Sequence, residues 1–277
     1  MASAPVEQGF ELRGERARLS TLVRDMWRSR ELVIMLARKD FFVRYRRASL
    51  GIIWAIGLPL VQATVFAIVL SQFVRFETPI SFPAFVFSGV LPWTFFSAAV
   101  ALGTTSVIDG SALATKIYFP RAVLPLVTVF SGFYGLLIGT GVMVALAAVM
   151  GAPLGPALVL LVPATVLLIL LASGFALVLG ALQVYFRDIK HVIAAITLPW
   201  FWASGVFYPL TRLSDDFRRV IEINPAVGMI SLFRASIGAA APDWERGLWW
   251  SLGWVVLLFA VATSLYRRWD RVCVDLL

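Results

Sequence analysis

The sequence predicts an all-α integral membrane protein. It has six transmembrane helices, an N-terminal amphipathic interface helix, and two short extracytoplasmic re-entrant helices between spans five and six. Three observations carry that prediction. Six apolar stretches hold no charge in their interiors: Leu50–Val74, Phe82–Ser106, Ala122–Met150, Ala157–Phe186, Val192–Leu210 and Gly247–Tyr266. A bilayer crossing requires about 20 predominantly apolar residues, and these runs meet that length. The chain of 277 residues is 60% hydrophobic, 14% charged and has a mean hydropathy of +0.86. A soluble domain would carry about 25% charged residues. Finally, eighteen of the 24 Lys and Arg precede the first span, follow the last, or lie in the connections after spans two and four. Basic residues accumulate on the cytoplasmic side of short loops, so both termini are expected there, as an even number of spans requires.

Residues 1–48 are read as a cytoplasmic tail and interface helix, and 49–277 as the six-helix transmembrane domain with a cytoplasmic tail at 267–277. The first 18 residues are polar and irregular, and the first 30 are polar and charged, without the apolar core a signal peptide needs. A helical pattern begins at about Leu19. On a 100° wheel Leu22, Met26, Val33, Leu36 and Ala37 share a face, with Arg24, Arg28, Glu31 and Arg38 roughly opposite. Such a helix lies in the headgroup plane and turns its cations to anionic lipid. The cluster Arg38, Lys39, Arg44, Arg46 and Arg47 completes it just before the first span.

The connections 107–121 and 185–191 are too short to fold as domains. The longest connection, 211–246, alternates charge with apolar patches and is broken by Asn224-Pro225. It reads as two amphipathic helices dipping into the outer leaflet. Irregular backbone at that depth needs cover from protein or water, so these helices should pack on the bundle.

The chemistry that is missing narrows the function. No Gly-x-x-x-x-Gly-Lys-Ser/Thr phosphate loop occurs, so ATP is not held here by that device. One His, His191, and one Cys, Cys273, in separate segments make no metal site. Membrane enzymes acting on polyprenyl phosphates need carboxylates at the membrane face. Here Asp109, Asp188, Asp215 and Asp216 lie outside the spans with no paired motif. Ion-coupled transporters place ionisable relays inside the membrane. These spans offer chiefly Gln62, Gln72 and Gln183. Backbone carbonyls could still coordinate sodium, but a proton relay is hard to build, and a transporter with no visible internal coupling chemistry should take its energy from a partner.

Aromatic surface replaces charge. Trp54, Trp93, Phe96, Trp200, Trp202, Phe207 and Tyr208, with Phe66, Phe95 and Phe201, punctuate the spans, often beside proline. Some belong to the interfacial aromatic belt usual in membrane proteins. Pro92-Trp93 and Pro199-Trp200 fall well inside their runs, where ring faces can stack on the C–H faces of sugars without any charge. The aromatic set is therefore a candidate lining for a glycan path.

Three motifs carry a resemblance. The run Arg38-Lys-Asp-Phe-Phe-Val-Arg-Tyr-Arg-Arg-Ala-Ser-Leu-Gly-Ile-Ile-Trp-Ala-Ile-Gly-Leu-Pro-Leu60 is the first. The second is Leu113-Ala-Thr-Lys-Ile-Tyr-Phe-Pro-Arg-Ala-Val-Leu-Pro-Leu126. The third is Gly205-Val-Phe-Tyr-Pro209 followed by Ile223-Asn-Pro-Ala-Val227 and Phe233-Arg234. In order, over about residues 30–240, they resemble polysaccharide-exporting ABC transporter permeases of the Wzm/TagG type. Ser204-Gly205 departs from the Ser-Pro of many members.

The resemblance implies a non-enzymatic permease of the bacterial cytoplasmic membrane. Such permeases form homodimers and bind two copies of a nucleotide-binding ATPase subunit, which carries the ATP and Mg; no cofactor is expected in this chain. Their cargo is lipid-linked (polyprenyl-diphosphate) polysaccharide such as O-antigen, galactan or teichoic acid. By similarity, Asp109, Lys116, Tyr118, Phe119, Pro120, Arg121, Arg187, Asp188 and His191 would couple to the ATPase. Arg44, Arg46 and Arg47 would lie near the diphosphate headgroup, and the helices of about 211–246 would form an extracytoplasmic gate. Export of a drug, lipid or peptide by a permease of the same architecture is the alternative that this sequence leaves open.

Overall fold

The computed structural model describes residues 29–46, 49–73, 77–111, 120–241 and 243–269. Among them the regular structure is helical throughout: α1 (Arg30–Arg46), α2 (Trp54–Phe73), α3 (Phe82–Asp109), α4 (Val123–Val149), α5 (Leu161–Tyr185), α6 (Ile189–Trp202), α7 (Asp215–Glu222), α8 (Pro225–Ser236) and α9 (Glu245–Trp269). Short 3-10 turns occupy Gly51–Ile53, Pro156–Leu160 and Leu210–Arg212. Five helices, α2, α3, α4, α5 and α9, are long and apolar enough to cross a bilayer. Arg46, Asp109, Arg121 and Arg187 mark one end of the bundle, called here the basic end. Phe82, Val149 and Ser204 mark the far end.

The spine is α3. Pro83 in its first turn suits a helix start, since the N–H that proline lacks would have no intrahelical acceptor there. From Ala84 to Trp93 every side chain is buried, because α2, α4, α5, α6 and α8 all pack on this helix. Small residues set how closely they approach. A Cβ on Gly103 would collide with Ala176 of α5, and one on Gly180 would sit 2.9 Å from the Gly103 carbonyl oxygen. Lipid tails are as apolar as leucine, so close van der Waals packing of this kind holds membrane helices together. The outward faces stay apolar: Leu58 and Val61 of α2 and Val256 of α9 are 63%, 59% and 72% exposed.

The fifth apolar run behaves differently from the expected span Val192–Leu210. Its helix, α6, is 14 residues long and ends at Trp202. That is about 21 Å, short of the roughly 30 Å hydrocarbon core. The chain then turns at Gly205, whose φ of +64° is left-handed. Proline, fixed near −65°, could not adopt this angle, so the Ser-Pro of similar sequences would force another turn here. Val206, Phe207 and Leu210 follow as buried loop residues. Their apolarity reflects burial by protein, not helical contact with lipid.

Two further expectations change in detail. The described part of the first helix begins at Arg30, and the expected start near Leu19 lies outside the described residues. Its buried stripe, Val33, Ala37 and Phe41, has i,i+4 spacing and packs on α4. Ile34, Met35 and Phe42 remain more than half exposed. In the 211–246 connection, α7 is short and amphipathic, but α8 is not: every residue from Pro225 to Ser236 is buried. It is enclosed by α3, α5, α9 and the 3-10 turn at Pro156–Leu160. Small side chains allow this, since a Cβ on Gly228 would collide with Ser251 and Gly247 of α9.

Candidate functional site

A cavity of about 590 Å³ opens between α1, α2, α3, α4 and α6. Trp54, Leu58 and Gln62 line it from α2, Thr94 and Ser97 from α3, Thr128 and Gly132 from α4, and Thr197 from α6. Arg44 and Tyr45 of α1 stand at its basic end. The lining is apolar with scattered hydroxyls and one amide, and holds a single cation. Pro59 lies inside α2 on the cavity wall, where a proline leaves an intrahelical carbonyl without its usual donor. Such a surface can hold polar, uncharged groups through weak, replaceable hydrogen bonds.

Arg44 is oriented before anything binds. Its guanidinium donates to Asp40 at 2.7 Å, and Ser131 of α4 donates to the same carboxylate oxygen at 2.6 Å. Phe41 packs on Tyr134 with ring centroids 5.2 Å apart. Together these contacts fix α1 against α4 and set Arg44 at the cavity edge. Arg46 is exposed one turn end further on. Arg47 lies outside the described residues.

The aromatic residues singled out from the sequence divide into groups. Trp54 lines the cavity. Trp93, Phe96 and Trp200 form a cluster with Phe175, with centroids 5.3 to 5.9 Å apart. Trp93 and Phe96 are buried. A second cluster joins Phe66, Phe201, Trp202, Phe207 and Tyr208 at the far end, and Trp93 packed on Phe201 connects the two. Trp202 is half-exposed, and Tyr208 donates to its carbonyl at 3.0 Å.

Around that second cluster Asn224 makes four hydrogen bonds. Its Oδ1 accepts from Trp200 Nε1 at 2.8 Å and from the Ala226 N–H at 3.0 Å. Its Nδ2 donates to the Ala203 carbonyl and to Ser204 Oγ, both at 3.0 Å. One side chain thereby caps α8 and anchors the end of α6. Asn-Pro appeared in the sequence as a breaker between two helices; that its amide is a junction depends on a contact across 24 residues.

At the basic end, Asp109 closes α3 and is exposed, and Pro120 and Arg121 lead into α4. Lys116, Tyr118 and Phe119 lie outside the described residues. Arg187, Asp188 and His191 are exposed at the α5–α6 turn, with Asp188 immediately before α6. Buried Gln183 shapes this turn: its Nε2 donates to the Arg187 carbonyl and its Oε1 accepts from the Lys190 N–H, each at 2.8 Å. Gln183 stood out in the sequence as a polar residue in an apolar span, which is the signal that locates it; its task is visible only in the fold.

The connection near the far end carries its own charges. Glu222, buried, accepts from Arg218 at 2.8 Å and from Arg246 of α9 at 3.4 Å. The guanidinium of Arg234 on α8 is stacked 3.7 Å over the Phe85 ring and donates to the Val206 carbonyl. Burial pushes its pKa down to about 9, which leaves it charged at neutral pH.

Apolar helices around a buried spine, a hydroxyl-lined cavity between them, and short basic turns at one end define a polytopic membrane protein of the transport type. Residues 31–237 match the ABC-2 type transporter family, and the chain belongs to that family. It is 31% identical over 252 residues to the O-antigen export system permease protein RfbA of Myxococcus xanthus, covering 89% of this chain and 96% of that protein. The protein of the same name from Klebsiella pneumoniae is 24% identical over 205 residues, covering 74% and 79%.

Proposed function

We propose that this protein is the transmembrane subunit of an ATP-driven exporter that moves O-antigen-type, lipid-linked polysaccharide across the cytoplasmic membrane. The observation that carries the reading is the cavity of about 590 Å³, hydroxyl-lined and reaching from Arg44 into the span region, in a chain 31% identical to an O-antigen export permease. A polyprenyl diphosphate is polyanionic, and clustered arginines beside the membrane suit it. Arg44, Arg46 and Arg47 receive that headgroup, while Trp54 on the cavity wall and half-exposed Trp202 flank the glycan.

Orientation follows from charge. The basic end is cytoplasmic, and its cations meet the anionic leaflet. The exposed apolar residues Ile34, Met35 and Phe42 of α1 enter the headgroup zone from the same side. The α6 segment makes the fifth of six crossings as a short helix completed by the turn at Gly205, and α7 and α8 form the re-entrant gate. The cavities of about 590 and 310 Å³ among the described residues are too small for a hydrated polymer, so two protomers together form the conduit. The exposed turn Arg187–His191 and the residues around Arg121 dock on two copies of an ATPase, whose nucleotide cycle rocks them.

Purification from native membranes in mild detergent, with co-purifying proteins identified and counted, tests this reading. A soluble ATPase bearing a phosphate loop is expected at one copy per permease. Recovery of the permease alone under conditions that preserve other ABC complexes would overturn it.

A further inference from the structure

A second cavity, of about 310 Å³, lies at the far end between the start of α3, α8 and the loops that flank them. Its walls are mostly apolar: Pro79, Phe85, Pro209 and Leu210. Arg234 and Ser231, one helical turn apart on the same face of α8, also line it. Arg234 is only 6% exposed, and its Nε has no hydrogen-bond partner. The Phe85 ring and the Val206 carbonyl engage this guanidinium, yet no carboxylate pairs with it among the described residues. Glu77, the single carboxylate in the lining, faces solvent and is held by Arg212 at 3.0 Å. Buried charges are ordinarily paired, because an unpaired one is costly to remove from water. An arginine on a cavity wall with no carboxylate beside it is suited to accept an anion, and a phosphate suits its fork.

Depth and size select the kind of anion. Phe85 sits in the first turn of a membrane-crossing helix, so the cavity lies at headgroup level rather than in the hydrocarbon. Its apolar walls favour a ligand that brings carbon as well as charge. The volume admits a phosphate with a few flanking atoms and not a run of sugar residues. We propose that this cavity is a binding site for a lipid-borne phosphate group, with Arg234 as the charged anchor and Ser231 and Thr211 as polar flanks. The proposal rests on α3 crossing the membrane and not on which polymer, if any, the protein exports.

The test uses the full chain purified in mild detergent with whatever subunits accompany it, read by native mass spectrometry and titration. The probes are dioctanoyl phosphatidylglycerol, geranylgeranyl diphosphate, phosphate-free dioctanoylglycerol and glucuronic acid. Phosphate-bearing lipids are expected to bind and the other two are not. Two variants are compared: Arg234→Gln, and Ala240→Trp, which fills the cavity from an exposed lining position and leaves Arg234 in place. Each should weaken phosphate-lipid binding at least about tenfold, about 1.4 kcal/mol. If Arg234→Gln does not fold, Ala240→Trp decides alone. Binding of both phosphate lipids assigns the site to headgroups in general, and binding of the prenyl diphosphate alone assigns it to a carrier lipid. Unchanged affinity in Ala240→Trp, equal binding of dioctanoylglycerol, or preferential binding of glucuronic acid would overturn the proposal.

Discussion

Single side chains in this protein hold segments that are distant in sequence. Asn224 makes four hydrogen bonds, to Trp200, Ala203, Ser204 and Ala226, and no shorter or apolar residue can replace them. Loss of a helix N-cap costs about 1 kcal/mol, and a half-buried donor left unpaired costs a further 1–3. Asn224→Ala should therefore destabilise the fold by about 2–4 kcal/mol, seen as a lower melting temperature in detergent; an unchanged value would show that the junction is dispensable. Gly89 is a second such position. A Cβ there would collide with the Val206 carbonyl, the same oxygen that accepts from Arg234. Gly89→Ala should displace the 203–209 loop and lower stability by about 1–3 kcal/mol, as overpacking of a filled core does. Gly57, which meets only the Trp54 ring at 3.7 Å, is the control that should tolerate alanine.

At the scale of elements, the turns decide what the helices can transmit. Gln183 closes the α5–α6 turn by accepting from one residue of it and donating to another. Gln183→Leu keeps the apolar span intact and removes both bonds, so deuterium exchange in residues 186–190 should rise while the protein still inserts. Unchanged exchange would mean that backbone contacts alone hold the turn. If that turn and the residues leading into α4 dock on the ATPase, Asp188→Ala or Arg121→Ala should lower export about fivefold, a change of roughly 1 kcal/mol, at normal membrane levels. Wild-type export from both would remove the coupling role. Asp40, which joins Arg44 of its own helix to Ser131 of α4, adds a polar contact to the buried stripe Val33, Ala37 and Phe41 that seats α1. At partial exposure such a contact is worth about 1 kcal/mol or less, so the apolar stripe supplies most of the attachment.

For the whole molecule, the informative surface is the one left uncovered. The cavity wall at Leu58 and Ala194 is exposed on the flank of α2 and α6. A second protomer seated there would turn an open groove into a closed conduit. In a Cys273→Ser background, cysteine introduced at Leu58 or Ala194 should yield a crosslinked dimer on non-reducing gels. Cysteine at Val256, on the opposite apolar face of α9, should not. Crosslinking at Val256 alone would place the partner elsewhere.

The sequence by itself determined that this chain lives in a membrane, because six uncharged apolar runs and one-sided basic turns follow from solvation alone. It also located the family motifs and the break at Asn224-Pro225. Hydropathy cannot separate contact with lipid from contact with protein, since both reward the same side chains. Only the tertiary structure therefore decided that α6 stops after 14 residues and that every residue of α8 is buried. The same limit governed the site. Gln62, Thr94, Ser97, Thr128 and Thr197 meet around one cavity from four different helices, and Arg234 is buried beside an aromatic ring more than a hundred residues away in sequence. Such meetings are set by how helices cross, and that depends on close approaches at small residues such as Gly103 and Gly228, which no single segment of sequence displays.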